Sequence, residues 1–252
     1  GDDARWVDWA LTARHGRPMV RVPEIDPVLT AWALIDCSPS MHYGTTGQTK
    51  LALAEQVLSA VGLVMRRRGD RLGVIPPRSG GLDRGRPPRA DRRGLIAALE
   101  AVRALPAPSE GGGRTDLAAA VGAVGRIVRH RGAVILVSDF PQDDRLGREL
   151  WLLGRRHDVI AIEVRDRRER ELPRVGHVVL RDVETGRRRP VNIGDRRFQE
   201  RFARRVAESD RARATALARA GARHAVVETG GGWGGALGGG LGRERRRAAP
   251  AR

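Results

Sequence analysis

The chain has 252 residues, 40% of them hydrophobic, which is enough for one α/β domain with short extensions or for two small domains. The net charge of +17 resembles that of nucleic-acid-binding proteins, but the basic residues, all arginines except Lys50, are spread along the chain without interleaved aromatic residues. The single cysteine, Cys37, excludes an internal disulfide, and no apolar run approaches the roughly 20 residues needed to cross a bilayer.

The first predicted strand covers residues 28–35, an almost wholly apolar run that stops at Asp36. A strand this apolar is typical of a parallel sheet covered on both faces, and function is expected at its carboxyl end. A helix is predicted over residues 50–67, because apolar side chains recur there with the spacing of one helix face and Gly69 provides a stop.

Further alternation follows along the chain. A short strand at residues 71–75 is followed by a Gly/Pro/Arg loop and a helix over residues 92–103. A glycine-rich loop then leads to Thr115 at the start of another helix. The second buried strand, residues 133–137, ends at Ser138 and Asp139, just as the first ends at an aspartate.

The remaining elements complete the pattern. A helix near residues 145–153 and a buried strand at residues 159–164 are followed by a hairpin, a long basic helix that begins after Asp195 and ends at Gly221, and a last strand at residues 224–228. Repeated strand, helix, strand alternation predicts an α/β fold with a doubly wound, mainly parallel sheet and helices on both faces.

Composition divides the chain into three segments. Residues 1–27 are expected to pack on the domain, with docking to a partner as the alternative for their acidic and aromatic side chains. The domain itself covers residues 28–229, and the Gly/Arg-rich tail at residues 230–252 is predicted to be disordered. Because the chain opens without Met, it is expected to be the downstream part of a longer protein. Cytoplasmic exposure is the expectation, with membrane anchoring through a preceding portion left open.

Oxygen-bearing side chains follow two buried strands and one glycine loop. Asp36, Ser38 and Ser40 come directly after the first strand, Thr115 follows the loop, and Asp139 follows the second strand. In a doubly wound sheet these segments converge at one edge, and oxygens are the ligands of Mg²⁺ or Mn²⁺. A single Asp-x-Ser-x-Ser is more often a turn or helix cap, but three segments in this order favour a metal site. A vestigial site without metal is the alternative.

This order of residues resembles the metal-ion-dependent adhesion site (MIDAS) of von Willebrand factor A domains, where Asp-x-Ser-x-Ser is followed by a Thr and then an Asp. By that resemblance Asp36, Ser38 and Ser40 are the first motif, Thr115 the second and Asp139 the third. Several further motifs, from Gly1 to about Thr229, resemble the bacterial family called domain of unknown function 58, namely Val7-Asp8-Trp9, Gly69-Asp70-Arg71, Ser138-Asp139-Phe140 and Glu184-Thr185-Gly186.

The resemblance implies a non-enzymatic, metal-dependent protein-binding domain. In such a domain Mg²⁺ or Mn²⁺ keeps one coordination position for an Asp or Glu of a partner protein. Members of the family are associated with MoxR-type AAA+ ATPases, so such an ATPase is the expected partner. An Arg-rich nucleic-acid-binding protein is the alternative from another class. The sequence departs from the family at Cys37, where an aliphatic residue is more usual, and in its glycine-rich tail.

Enzyme interpretations find less support in the sequence. Asp36 as a phosphoryl acceptor of the haloacid dehalogenase type would need a second Asp at the position of Ser38. Cys37 as a phosphatase thiolate would need an Arg at the position of Tyr43. No Gly-x-Ser-x-Gly elbow is present, and the six histidines lack metal-ligand spacing. A metal-dependent hydrolase is kept as a further alternative.

Overall fold

The computed structural model describes residues 9–17, 19, 28–75, 77–78, 81–82, 86–103, 116–173, 175–181 and 187–241. Thr115 of the predicted metal set, most of the N-terminal segment and residues 242–252 therefore lie outside the described residues.

The described strands are β1 (Thr30–Ile35), β2 (Arg71–Ile75), β3 (Pro77–Arg78), β4 (Gly81–Leu82), β5 (Arg86–Arg89), β6 (Ala133–Ser138), β7 (Asp158–Arg165), β8 (His177–Arg181), β9 (Arg188–Asn192) and β10 (Arg223–Glu228). Six of them form one sheet in the order β10-β7-β6-β1-β2-β5. All neighbours pair in parallel except β5, which is an antiparallel edge. β3 with β4, and β8 with β9, form separate two-stranded hairpins.

The described helices are α1 (Trp9–His15), α2 (Lys50–Arg67), α3 (Arg92–Arg103), α4 (Leu117–Ile127), α5 (Asp144–Gly154), α6 (Arg196–Arg219) and α7 (Gly234–Leu241). Buried side chains of α2, α3 and α7 share one apolar cluster with the sheet. Those of α4, α5 and α6 share a second cluster on the opposite face. The predicted α/β architecture with helices on both faces is confirmed.

Strand β6 illustrates why the sequence builds these layers. Its Ile135 and Val137 belong to the α2 cluster, whereas Val134 and Leu136 belong to the α4 cluster. Successive side chains of a strand point to opposite faces, so a strand covered on both sides requires an uninterrupted apolar run. All six residues of β6 are accordingly buried.

The strand order also fixes where a site is expected. The chain leaves β1 through α2 to reach β2 on one side, whereas β6, β7 and β10 lie on the other side. The carboxyl ends of the neighbouring strands β1 and β6 therefore flank a topological switch point, which is where open α/β sheets bind ligands.

The first part of the tail that was predicted to be disordered carries a short helix. Residues 234–241 form α7, Leu237 is only 9% exposed, and Trp233 packs against the same apolar cluster. The glycine content suggested too little apolar surface. Trp233, directly before the helix, and Leu237, inside it, nevertheless both pack against this cluster and hold the short helix against the domain.

We expect Leu237→Ala to lower the free energy of unfolding by about 2–3 kcal/mol, because a buried leucine loses its contacts and leaves a cavity. For a domain of this size the melting temperature should fall by roughly 5–10 °C. The matched control is Leu152→Ala in α5. Leu152 is 41% exposed, so this substitution should lower the free energy of unfolding much less. Equal melting temperatures for wild type and Leu237→Ala would show that α7 does not stabilise the domain.

Two sequence predictions concern parts of the chain that are only partly described. None of the side chains of α1 is buried, and Trp9 is 68% exposed. The expected packing of residues 1–27 rests mainly on residues outside the described ranges and stays a prediction. Within the described residues, no helix is both long and apolar enough to span a membrane.

Candidate metal site at the β1–β6 switch point

The loop after β1 holds the first part of the candidate site. The Asp36 amide donates to the carbonyl of Val137 at 2.8 Å, which continues the pairing of β1 with β6 by one residue. The chain then turns into a short 3₁₀ helix, Pro39–His42. The Ser38 amide donates to Asp36 Oδ1 at 2.9 Å, so the loop folds back on its own carboxylate.

Hydroxyl groups surround this carboxylate. Ser138 Oγ, at the end of β6, donates to Asp36 Oδ2 at 2.6 Å. The hydroxyl oxygens of Ser38 and Ser40 lie 3.0 Å apart. Asp36 is only 1% exposed, and these contacts hold its carboxylate in one orientation.

Asp139 is presented by an unusual turn. The next residue, Phe140, has φ of +46°, a left-handed conformation that is strained for a bulky side chain. Its amide donates to Ser138 Oγ at 2.9 Å, and its ring is buried. Arg213 of α6 also donates to the carbonyl of Asp139 at 2.8 Å. Core packing and these hydrogen bonds together maintain the strained turn beside the site.

Two observations show that the site has unsatisfied negative charge. Burial, reinforced by the charge of Asp139, raises the pKa of Asp36 to about 6, although hydrogen bonds from Ser138 and Ser38 oppose the shift. Asp139 Oδ1 is buried and has no hydrogen-bond partner among the described residues. Buried polar atoms are normally paired, so a buried carboxylate oxygen with no described partner, close to a second carboxylate, would suit a cation.

Of the five predicted ligands, Asp36, Ser38 and Ser40 lie in one tight loop, and Asp139 is near enough for its charge to act on Asp36. Thr115 lies outside the described residues. The part of the chain that is described contains no group of three or more His, Cys, Asp or Glu side chains able to hold a metal, so the candidate set depends on hydroxyl oxygens. Two carboxylates with hydroxyls suit Mg²⁺ or Mn²⁺, which accept oxygen ligands and retain water. Metal binding stays a prediction.

Lys50 is a site residue that the sequence analysis did not assign. Its ammonium is 2.7 Å from Asp139 Oδ2 and 2.6 Å from Glu169 Oε1, and the side chain is 1% exposed. Burial disfavours its charge, but the two carboxylates keep its pKa above the ordinary value. A signal was present, because this is the only lysine of a chain whose other basic residues are all arginines.

A second network ties neighbouring loops to the site. The Asp166 carboxylate accepts the Thr45 amide at 2.8 Å, the Thr45 hydroxyl at 2.6 Å and the Thr229 hydroxyl at 2.7 Å. Glu169, which pairs with Lys50, also completes a capping box with Asp166. The loop that follows the metal motif is therefore anchored to the ends of β7 and β10.

Glu163 in β7 is the centre of a buried charge cluster. It pairs with Arg165 at 2.6 Å, Arg213 at 3.0 Å and His224 at 2.8 Å, and it has no exposed surface. Burial alone would raise the pKa of Glu163, yet these hydrogen bonds and positive charges lower it to about 2. A glutamate inside the apolar run of residues 159–164 was the sequence signal for this cluster.

Cys37 does not have the properties of a nucleophile. Burial and the nearby carboxylates of Asp36 and Glu55 raise its pKa to about 12. Its thiol lies 3.6 Å from the carbonyl of Ile35. Because the thiolate is the reactive form, this environment gives no support to a thiolate phosphatase.

Fold and site define a doubly wound α/β domain with an oxygen-rich cluster at its switch point. The family model described as "Protein of unknown function DUF58" matches residues 1–212. The chain belongs to this family, as its motifs predicted.

Relatives agree with this membership. The chain is 38% identical over 208 residues to the uncharacterized proteins Rv1480 of Mycobacterium tuberculosis (strain ATCC 25618 / H37Rv) and Mb1516 of Mycobacterium bovis. The matched regions cover 82% of this chain and 64% of each relative, so the chain spans less than two thirds of their length.

Solved structures resemble the fold. The conserved hypothetical protein BatB from Bacteroides thetaiotaomicron matches with a TM-score of 0.51 and 13% identity, over 85% of this chain and 98% of that chain. The SpRpn10 VWA domain matches with a TM-score of 0.49 and 11% identity, over 89% and 100%. At these identities the likeness concerns the fold alone.

Proposed function

We propose that this chain is a metal-dependent protein-binding domain. Asp36, Ser38, Ser40 and Asp139 would hold Mg²⁺ or Mn²⁺, with Thr115 as a further ligand. The observation that carries the proposal is the buried Oδ1 of Asp139, which has no hydrogen-bond partner among the described residues and whose carboxylate acts on that of Asp36. A protein that supplies five or fewer oxygens to an octahedral ion leaves a position open, which an Asp or Glu of a partner would complete.

A cavity of about 430 Å³ opens beside Asp139. Its lining combines the arginines Arg165, Arg170 and Arg213 with acidic side chains, and these arginines pair with Glu163 and Asp210. The cavity would leave room for a partner's side chain next to Asp139. As the partner we propose a MoxR-type AAA+ ATPase, on the basis of the family resemblance.

A second candidate function is binding of nucleic acid through α6. This helix has 24 residues, and its Leu217 is buried against the domain. Arginines occupy the opposite, exposed face, where no described carboxylate pairs with them, namely Arg197, Arg201, Arg204, Arg205 and Arg211. Such a row fits phosphates, although it contains no aromatic side chain for stacking on bases.

One binding experiment separates the two candidates. The affinity of wild type for the ATPase would be measured in Mg²⁺ and in EDTA, beside Ser38→Ala and a triple variant in which Arg197, Arg201 and Arg204 become Gln. We expect EDTA and Ser38→Ala each to weaken binding by about tenfold or more, because either change removes or loosens the metal that would bridge the two proteins. The arginine variant should change it little, because exposed charges are screened by solvent.

The matched control is Ser59→Ala, which removes a hydroxyl that bonds only to the carbonyl of Glu55 within α2. Duplex DNA, titrated at about 50 and 200 mM salt, tests the second candidate, whose affinity would fall steeply over that range. Salt-sensitive binding to DNA that the arginine variant loses, together with ATPase binding that ignores EDTA, would favour nucleic acid and contradict the metal-dependent proposal.

A further inference from the structure

Lys50 occupies a position that local structure does not favour. It is the first residue of α2, where the partial positive charge of a helix start disfavours a cation. Its side chain is also almost completely buried, and transferring an ammonium out of water is costly. Among the described residues, the carboxylates of Asp139 and Glu169, 89 and 119 residues further along the chain, compensate for this.

The ammonium and a metal would share one carboxylate. Lys50 donates to Oδ2 of Asp139, while Oδ1 is buried and has no hydrogen-bond partner in the described part of the chain. A metal held by Oδ1 would share this carboxylate with the ammonium, and like charges at one carboxylate repel even at an intermediate dielectric constant.

We propose that Lys50 is a resident counter-ion that competes electrostatically with the metal at Asp139, so that the free protein binds Mg²⁺ weakly. The inference rests on the proposed function, since it assumes that the site takes a divalent cation. A carboxylate from the partner adds the negative charge that Lys50 offsets. Metal and partner therefore bind cooperatively, and the metal bridge forms mainly in the complex.

The test is the affinity of the free protein for Mg²⁺ and for Mn²⁺, measured by calorimetry on wild type, Lys50→Met and Lys50→Arg. Lys50→Met keeps a side chain of similar length without charge, and we expect it to bind both ions at least about tenfold more tightly. Lys50→Arg retains the positive charge and should stay as weak as wild type. A purely structural ion pair would instead lower the melting temperature in Lys50→Met without tightening metal binding.

Stability provides an independent readout. In EDTA, Lys50→Met should melt below wild type, because two carboxylates lose their counter-ion, and Mg²⁺ should raise its melting temperature more than that of wild type. If Lys50→Met does not fold, Glu169→Gln replaces it, since Glu169 is 37% exposed and the change leaves Lys50 paired with Asp139 alone. This variant should bind Mg²⁺ more weakly than wild type, and unchanged affinity would overturn the inference.

The outcomes distinguish the inference from the proposed function. Equal or weaker binding by Lys50→Met, with measurable binding by wild type, overturns the role of Lys50 and leaves the metal-dependent function standing. If Lys50→Met binds Mg²⁺ and wild type does not, the role of Lys50 as a counter-ion is supported. The free wild-type protein is then metal-free, and metal dependence is confined to the complex. No binding by either protein overturns both.

Discussion

Asp36→Asn is expected to abolish Mg²⁺ binding and, in EDTA at pH 8, to raise the free energy of unfolding by about 3 kcal/mol. Burial and the neighbouring charge of Asp139 raise the pKa of Asp36 from 3.8 to about 6. Each pKa unit corresponds to about 1.4 kcal/mol, so ionised Asp36 destabilises the metal-free protein by that amount. The amide carries no charge and can still accept the hydrogen bond from the Ser38 amide.

The sign of the pH dependence follows from the raised pKa. Between about pH 4 and 6 the folded protein holds a proton on Asp36 more firmly than the unfolded chain, so wild type loses stability as the pH rises through this window. The advantage of Asp36→Asn should therefore be complete at pH 8 and vanish near pH 4. Chemical denaturation of both proteins in EDTA at several pH values measures it. A variant less stable than wild type at pH 8 would show that the Asp36 carboxylate is not under electrostatic stress.

Glu163→Gln should cost about 3–5 kcal/mol of stability, the second large effect expected. The side chain of Glu163 is fully buried and faces Arg165, Arg213 and His224. Removing one partner of a buried ion pair leaves uncompensated charge in a poorly solvated place. Gln preserves the volume and introduces an amide that offers donors where the neighbours are already donors.

Thermal melts at pH 7 would register this change as a fall of roughly 10 °C. The matched control is Glu200→Gln in α6, which removes the ion pair between Glu200 and Arg196. These side chains are 58% and 91% exposed, respectively, so the substitution should lower the free energy of unfolding by about 0–1 kcal/mol. The stabilisation from Glu163 should persist above about pH 4.5 and disappear as the pH falls towards 2, because its folded pKa is depressed. Equal losses for the two variants would mean that the cluster is solvated.

If these expectations hold, stability and binding oppose each other at the candidate site. Asp36 is expected to weaken the free fold at neutral pH, and Phe140 adjoins the site in a strained conformation. The Glu163 cluster lines the cavity next to Asp139 and is expected to stabilise this part of the fold. Strain and excess charge at one point, supported by strong interactions around it, are common at binding sites.

The sequence predicted those helices and strands whose ends are set by residues close by in the chain. The start of α6 is an example, because the Asp195 side chain accepts the amide of Arg197, and its end at Gly221 uses a left-handed φ of +66°. The buried strands β1 and β6 could also be predicted from the sequence, since an uninterrupted apolar run too short to span a membrane is typical of a strand covered on both faces.

Ion pairs between residues far apart in the chain could not be predicted from the sequence in this way. The sequence placed Lys50 in a helix, but its burial depends on carboxylates 89 and 119 residues away that only the packed sheet brings close. Glu163 is a polar residue in an apolar strand, but its three partners come from β7, α6 and β10. The docking of Leu237 likewise depends on an apolar surface built by other parts of the chain.

By itself, the sequence determined the α/β class, the order of its main elements and the oxygen ligands expected at the ends of β1 and β6. These features follow from hydrophobic periodicity, capping and turn residues, which act over a few neighbouring positions. Only the tertiary structure decided which charges face one another, which carboxylate oxygen lacks a partner among the described residues, and which tail residues pack. Those properties depend on distance and dielectric environment, and both arise only when distant segments of the chain exclude water together.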